Sequence, residues 1–169
     1  MLGKHSILYL SLWMRRSDNM INIGDHAPEF TMKNENEEDV SRGQFKGKNV
    51  LLCFFPFAFS PVCTTEMSCF QDDFSEFNNI DVEILAISVD SHYSLAAFKK
   101  SLNANDVTFL SDFSKDMCRR YGMLRPEGKS ERAYFFIDKD GIVRWKHVMP
   151  HPGVRLENKD LLKMIETHS

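Results

Sequence analysis

Two continuous apolar runs dominate the hydrophobic pattern of the chain. The first covers residues 49–55 and ends at Pro56, and the second covers residues 82–89. Apolar runs of this length without polar alternation are typical of strands buried on both faces of a sheet. Between the two runs, apolar side chains recur at steps of 4, 3, 4 and 3, which predicts one helix whose apolar face packs on the sheet: Cys63, Met67, Phe70, Phe74 and Phe77.

The residues at the start of this helix agree with that prediction. Ser60 can serve as its N-cap, Pro61 suits its first position, and Glu66 falls in its early turns. A strand, a helix and a second buried strand in succession predict two parallel strands joined by a right-handed crossover.

The second half of the chain predicts further elements by the same criteria. They are helices over residues 92–102 and 115–121, a hairpin of residues 133–137 and 142–147, and a final helix that Asn158 caps and that runs to Thr167. The order β-α-β-α, then a hairpin and a last helix, indicates an α/β protein with a thioredoxin-like fold. In that fold, helices lie on both faces of a central mixed sheet.

Length and composition are those of one globular domain. Of the 169 residues, 43% are apolar and 27% are charged, and no linker divides residues 20–169, which we predict to form a single domain. Residues 1–19 are predicted to form a flexible or surface-docked N-terminal extension. Its apolar run is too short to span a membrane, and two arginines without a small-residue cleavage site disfavour a signal peptide. We therefore expect a cytoplasmic protein.

Charge and cysteine spacing narrow the possible chemistry. A net charge of -3 gives no broad attraction to nucleic acid or to an anionic membrane, so we expect neither as a partner. The cysteines, at positions 53, 63, 69 and 118, form no CxxC pair, which disfavours a zinc ribbon and a CxxC oxidoreductase. The sequence contains no ligand cluster with metal spacing, so neither a metal nor a cofactor is predicted.

Cys63 lies in the first turn of the predicted helix, behind a buried strand. Backbone N–H groups without helical partners and the helix dipole stabilise negative charge there, which favours the nucleophilic thiolate. Ser60 could donate its hydroxyl to the thiolate or to a bound oxygen, and Pro56 would stiffen the loop and help to exclude water. On position alone, Cys63 could equally be a buried packing residue.

The surrounding residues match a family pattern. Residues 56–63, Pro-Phe-Ala-Phe-Ser-Pro-Val-Cys, have the form Pro-x-x-x-Thr/Ser-x-x-Cys and resemble the active-site motif of the peroxiredoxins. Glu66 fits the continuation Cys-Thr-x-Glu, residues 23–30 resemble the opening Gly-Asp-x-Ala-Pro-x-Phe, and Arg132 falls where the family has an arginine before a strand. The resemblance covers about residues 22–167 and is closest to the one-cysteine alkyl hydroperoxide reductase E-like subgroup.

This resemblance implies an enzyme, a thiol-dependent peroxidase. The Cys63 thiolate would attack hydrogen peroxide or an organic hydroperoxide and become a sulfenic acid. Ser60 would orient the peroxide, and N–H groups near Val62 and Cys63 would stabilise charge as the O–O bond breaks. Arg132 would stabilise the thiolate and the developing oxyanion. Glu66 would hold an arginine in place, with an exposed early-turn carboxylate favoured by the helix dipole as the alternative.

The other cysteines determine how the sulfenic acid is reduced. Cys53 lies in the predicted buried strand and is interpreted as packing. Cys69 is six residues after Cys63 on the helix, a rise of about 9 Å on a different face, which exceeds the roughly 7 Å between Cα atoms that a disulfide allows. Cys118 matches no common resolving position, so a packing role is favoured and a resolving role is the alternative. We therefore predict a one-cysteine enzyme with an external thiol reductant of thioredoxin, glutaredoxin or low-molecular-weight type.

Two further expectations concern assembly and the alternative functions. The family resemblance suggests a homodimer. Phe57 and Phe59 lie in the active-site loop and could line an organic hydroperoxide pocket or form a dimer contact. A peroxide sensor or a redox-regulated chaperone using the same cysteine is the alternative to a peroxidase.

Overall fold

The computed structural model describes residues 20–169 as a mixed seven-stranded sheet with helices packed on it. The order of strands across the sheet is β2-β1-β5-β4-β3-β6-β7. The strands are β1 (Thr31–Asn34), β2 (Asp39–Ser41), β3 (Asn49–Phe54), β4 (Val82–Ser88), β5 (Thr108–Ser111), β6 (Ala133–Ile137) and β7 (Val143–Val148). The helices are α1 (Pro61–Asp72), α2 (Phe74–Asn79), α3 (His92–Leu102), α4 (Asp116–Arg120) and α5 (Asn158–His168).

The centre of the sheet is formed by the two apolar runs. All six residues of β3 are buried, as expected for a strand covered on both faces. Strand β3 pairs in parallel with β4, β4 pairs in parallel with β5, and β6 pairs antiparallel to β3. The carboxyl ends of β3, β4 and β5 therefore meet at one edge of the sheet, and α1 begins at that edge.

Successive β3 residues point to opposite faces and so divide the hydrophobic core into two clusters. The first cluster contains Cys53 and the apolar residues of α1, α2, α3 and α5, including Cys63 and Phe70. The second contains Leu52 on the opposite face of β3 and the buried residues of α4, including Cys118. The sheet therefore separates Cys63 from Cys118.

The predicted fold class is confirmed, and helices lie on both faces of the sheet. The helix over 92–102, the short helix near 115–121, the hairpin and the C-terminal helix are also confirmed. Strands β1, β2 and β5 were not predicted, because they have only four, three and four residues, too few for a clear alternation. Residues 1–19, predicted as an extension, lie outside the described residues, and the single domain over 20–169 stays a prediction.

Two helix boundaries differ from the sequence-based expectation. The single helix predicted to run through Phe77 is interrupted at Asp73, which ends α1 and occupies the N-cap position of α2. Acidic residues oppose the dipole at a helix C-terminus and are favoured at an N-cap, so Asp72 and Asp73 disfavour continuation. Asn158 is the first residue of α5 rather than its cap, and its side-chain amide donates to Asp73 at 2.8 Å. In the described part of the chain, no helix is long and apolar enough to cross a membrane.

Substituting Phe70→Ala tests the packing of α1 on the sheet. Phe70 is fully buried and its ring centroid lies 5.6 Å from that of Phe77. We expect the free energy of unfolding to fall by about 3–5 kcal/mol, since truncation leaves a cavity in the core. Chemical denaturation provides the measurement. The matched control is Phe113→Ala, at a phenylalanine that is 71% exposed, and an equal loss in the control would contradict the assignment of Phe70 to the core.

Candidate active site

Cys63 is the third residue of α1 and is fully buried in the first core cluster. Ser60 occupies the N-cap position with an extended backbone, as predicted, but its hydroxyl donates to the Phe57 carbonyl oxygen at 2.9 Å instead of capping the helix. In a helix that begins at Pro61, the N–H groups of Val62 and Cys63 have no acceptor within the helix. The thiol therefore lies at the positive end of α1.

Arg132 connects two other predicted site residues, Cys63 and Glu66, in one buried group. Its Nη2 donates to Cys63 Sγ at 3.1 Å, its Nη1 donates to Glu66 Oε2, and its Nε donates to the Pro152 carbonyl oxygen at 3.1 Å. Arg132 and Glu66 are each only 1% exposed. The alternative of an exposed Glu66 carboxylate is therefore wrong, and the expectation that Glu66 holds an arginine agrees with this geometry.

Burial and neighbouring groups act in opposite directions on the pKa values of this group. Burial raises the pKa of the Glu66 carboxyl, while Arg132 and the Tyr134 hydroxyl act to lower it. Burial by itself lowers the pKa of Arg132, but the charges of Glu66 and Cys63 outweigh burial, so the net shift is upward. The guanidinium thus stays protonated beside the thiol, where it can stabilise negative charge on sulfur.

Tyr134 also contacts the site, although its sequence context identifies it only as a strand residue. Its buried hydroxyl donates to Glu66 Oε1 and accepts the Leu156 backbone N–H at 3.2 Å. The available signal was the spacing: Tyr134 follows Arg132 by two residues, and alternate side chains of an extended segment point to the same face.

The loop between β3 and α1 is fixed at several points. Its Pro56 is buried, and its Ala58 N–H donates to Asp90 Oδ2 at 2.8 Å. Phe59 has a φ of 64°, which is uncommon for a residue other than glycine. Phe57 and Phe59, in this loop, are 41% and 56% exposed. Their exposure fits both an organic hydroperoxide pocket and a dimer contact, so both stay predictions.

The structure does not bring Cys118 to Cys63. Cys118 is fully buried in the second cluster, across the sheet, and burial together with the Asp112 charge raises the pKa of its thiol. A disulfide between them, which requires Cα atoms within about 7 Å, would need this part of the fold to rearrange, so the arrangement favours packing for Cys118 and its resolving role stays the alternative. Cys53 is buried in β3 and Cys69 is partly exposed on α1. Within residues 20–169, no group of three or more His, Cys, Asp or Glu side chains is placed to hold a metal ion.

Comparison with known proteins agrees with this geometry. A sequence model of the AhpC/TSA family matches residues 23–146. The chain belongs to the AhpC/TSA family. It is 34% identical over 161 residues to the mitochondrial thioredoxin-dependent peroxide reductase of Rattus norvegicus, an alignment that covers 86% of this chain and 63% of that protein. The chain thus spans less than two thirds of that relative.

Two further similarities extend this family assignment. Peroxiredoxin 2 of Thermoplasma acidophilum is 34% identical over 134 residues, which cover 76% of this chain and 67% of that protein. The reduced 2-Cys peroxiredoxin of Plasmodium vivax superposes with a TM-score of 0.80 at 30% identity, covering 87% of this chain and 96% of that structure. Both proteins carry the peroxiredoxin name, in agreement with the AhpC/TSA assignment.

Substituting Glu66→Gln tests the buried ion pair. We expect the free energy of unfolding to fall by about 3 kcal/mol, because Arg132 would keep its charge in a buried place without a compensating carboxylate. Denaturation at neutral pH measures the change. Glu127→Gln is the matched control, since Glu127 also pairs with an arginine but is 57% exposed. We expect a much smaller change in the free energy of unfolding for Glu127→Gln. Similar losses for both variants would contradict a larger cost for the buried pair.

Proposed function

We propose that this protein is a thiol-dependent peroxidase whose nucleophile is Cys63. The observation that carries the proposal is the 3.1 Å contact between Arg132 Nη2 and Cys63 Sγ at the N-terminus of α1. A packing cysteine needs no buried guanidinium beside it, whereas a thiolate nucleophile gains from a permanent positive charge. Hydrogen peroxide and organic hydroperoxides are the proposed substrates.

The proposed reaction uses the groups that surround the sulfur. The Cys63 thiolate attacks one peroxide oxygen, an S–O bond forms, and the O–O bond breaks. Cys63 becomes a sulfenic acid, and the leaving oxygen takes a proton to give water or an alcohol. Arg132 Nη2 and the N–H groups of Val62 and Cys63 stabilise the charge that develops on oxygen. Ser60, at the N-cap, is placed to bind the peroxide if its hydroxyl turns from the Phe57 carbonyl.

Three variants test the assignment of the nucleophile. We expect Cys63→Ser to abolish peroxide consumption, and Arg132→Lys to lower the rate by about 100-fold because one ammonium group cannot replace the donors of the guanidinium. Stopped-flow reaction of the reduced protein with hydrogen peroxide and with an organic hydroperoxide measures both rates. Cys69→Ser, the same chemical change on the same helix, serves as the control and should keep the wild-type rate.

The outcome that would contradict the proposal is peroxide consumption by the Cys63→Ser variant. Slow turnover of the wild-type protein, together with a change in molecular size on oxidation, would instead favour a peroxide sensor or a redox-regulated chaperone.

We further propose a one-cysteine cycle of the alkyl hydroperoxide reductase E-like subgroup, in which an external thiol reduces the sulfenic acid. Cys118 lies across the sheet from Cys63 and Cys53 is buried in β3, which supports this proposal. The name of the rat relative, a thioredoxin-dependent enzyme, favours a thioredoxin-type reductant over a glutaredoxin or a low-molecular-weight thiol.

Intact mass after treatment with one equivalent of peroxide tests this cycle. We expect the mass of one added oxygen, retained on Cys63, because Cys118 lies across the sheet and Cys53, although in the same core cluster, is held inside β3. Cys118→Ser should give the same product. A loss of two hydrogens in the wild-type protein that disappears in Cys118→Ser would contradict the one-cysteine cycle.

The assembly and the location of the protein are also proposals. We propose a homodimer, as the family resemblance suggests, with exposed Phe57 and Phe59 as candidate contact residues. We propose a cytoplasmic location, a reducing compartment in which the four unpaired cysteines would stay free.

A further inference from the structure

We propose that Tyr134 is a positioning residue: its hydroxyl occupies one oxygen of Glu66 and thereby keeps the Nη2 group of Arg132 available to Cys63. This inference deepens the proposed peroxidase function and rests on it. The Tyr134 hydroxyl bonds to Glu66 and to the Leu156 N–H, and it acts on the sulfur through Glu66 and Arg132.

Arg132 pairs with Glu66 through only one donor and one oxygen. The three guanidinium nitrogens of Arg132 go to three different acceptors: Glu66 Oε2, Cys63 Sγ and the Pro152 carbonyl oxygen. The second oxygen of Glu66, Oε1, accepts from Tyr134 instead. An arginine and a carboxylate commonly pair through two parallel hydrogen bonds, which adds both energy and geometric specificity.

The chain also contains an arginine that contacts both oxygens of one carboxylate. On the surface, Arg125 Nε donates to Glu127 Oε2 at 3.2 Å and Arg125 Nη2 donates to Glu127 Oε1 at 3.4 Å. Two nitrogens of one arginine thus face two oxygens of one carboxylate. At Glu66, by contrast, Tyr134 satisfies one of the two oxygens.

Removal of the Tyr134 hydroxyl would leave Glu66 Oε1 without this donor in a buried place. A buried acceptor without a hydrogen bond costs free energy, and this cost is larger where the surroundings have a low dielectric constant. The nearest charged donor group is the Arg132 guanidinium, which would turn to offer a second N–H to the carboxylate. Because Nη2 is the nitrogen that now contacts Cys63, the thiol would lose its donor.

The orientation of the Tyr134 hydroxyl is itself fixed. Its oxygen accepts the Leu156 backbone N–H at 3.2 Å, so its single proton is directed to Glu66. The ring is fully buried in the first core cluster and cannot swing away. The segment that follows β7 supplies both backbone contacts, through Pro152 to Arg132 and through Leu156 to Tyr134.

The test compares Tyr134→Phe with Tyr121→Phe. Both substitutions remove one buried hydroxyl and keep the ring, but the Tyr121 hydroxyl has no hydrogen-bond partner within the described part of the chain and lies in the second cluster. We expect Tyr134→Phe to lower the rate of peroxide reaction by about tenfold through the loss of one aligned donor. Tyr121→Phe should keep the wild-type rate.

A double-mutant cycle separates positioning from general structural damage. In a Glu66→Gln background the side chain carries no charge to recruit a second arginine nitrogen, so adding Tyr134→Phe should change the rate by less than about twofold. A tyrosine that only fills the core would slow the reaction by the same factor in both backgrounds. Thermal unfolding of each variant ensures that all rates are compared among folded proteins.

Alkylation of Cys63 by iodoacetamide, followed by mass spectrometry, measures the thiolate without any peroxide. We expect Tyr134→Phe to slow this alkylation and Tyr121→Phe to leave it unchanged. In the Glu66→Gln background, adding Tyr134→Phe should not slow it further. Wild-type alkylation with no peroxide reaction would overturn the proposed peroxidase function alone. Equal alkylation and peroxide rates for the wild type and Tyr134→Phe would overturn the positioning role alone.

Discussion

The buried ion pair between Arg132 and Glu66 is the interaction on which the site depends. Two charges removed from water cost several kcal/mol each, and only close pairing with further hydrogen bonds offsets that cost. Helix α1 supplies Glu66, the residue just before β6 is Arg132, and the segment after β7 supplies the Pro152 carbonyl. The pair therefore forms only when three distant parts of the chain have come together.

The sheet register explains how these parts meet. Strands β3 and β6 are antiparallel, with Phe54 opposite Ala133 and Cys53 opposite Tyr134. Arg132 therefore lies just beyond the carboxyl end of β3, where the loop to α1 begins. A shift of one residue would point Arg132 to the opposite face of the sheet, toward the cluster that holds Cys118. The strand pairing thus determines which of the buried cysteines receives the guanidinium.

The sequence predicted the parts of this arrangement that follow from local patterns. The start of α1 was predictable from Ser60 and Pro61, and the central strands from their continuous apolar runs. The break at Asp73 was missed because the apolar spacing continues through it, although the acidic residues beside it carried the signal. The burial of Glu66 could have been inferred, since it lies three residues from Cys63 and therefore on nearly the same side of the helix.

The contacts that hold the reactive residues are harder to infer than the reactive residues themselves, for a physical reason. Pro152 acts through its backbone carbonyl and Leu156 through its backbone N–H. Every residue has a backbone carbonyl, and every residue except proline has a backbone N–H. Their side chains therefore carry no trace of these contacts. Tyr134 does act through its side chain, but a tyrosine in an apolar strand also satisfies the demands of core packing. Only the direction of its hydroxyl distinguishes the two roles, and that direction is set by a segment about twenty residues away in sequence.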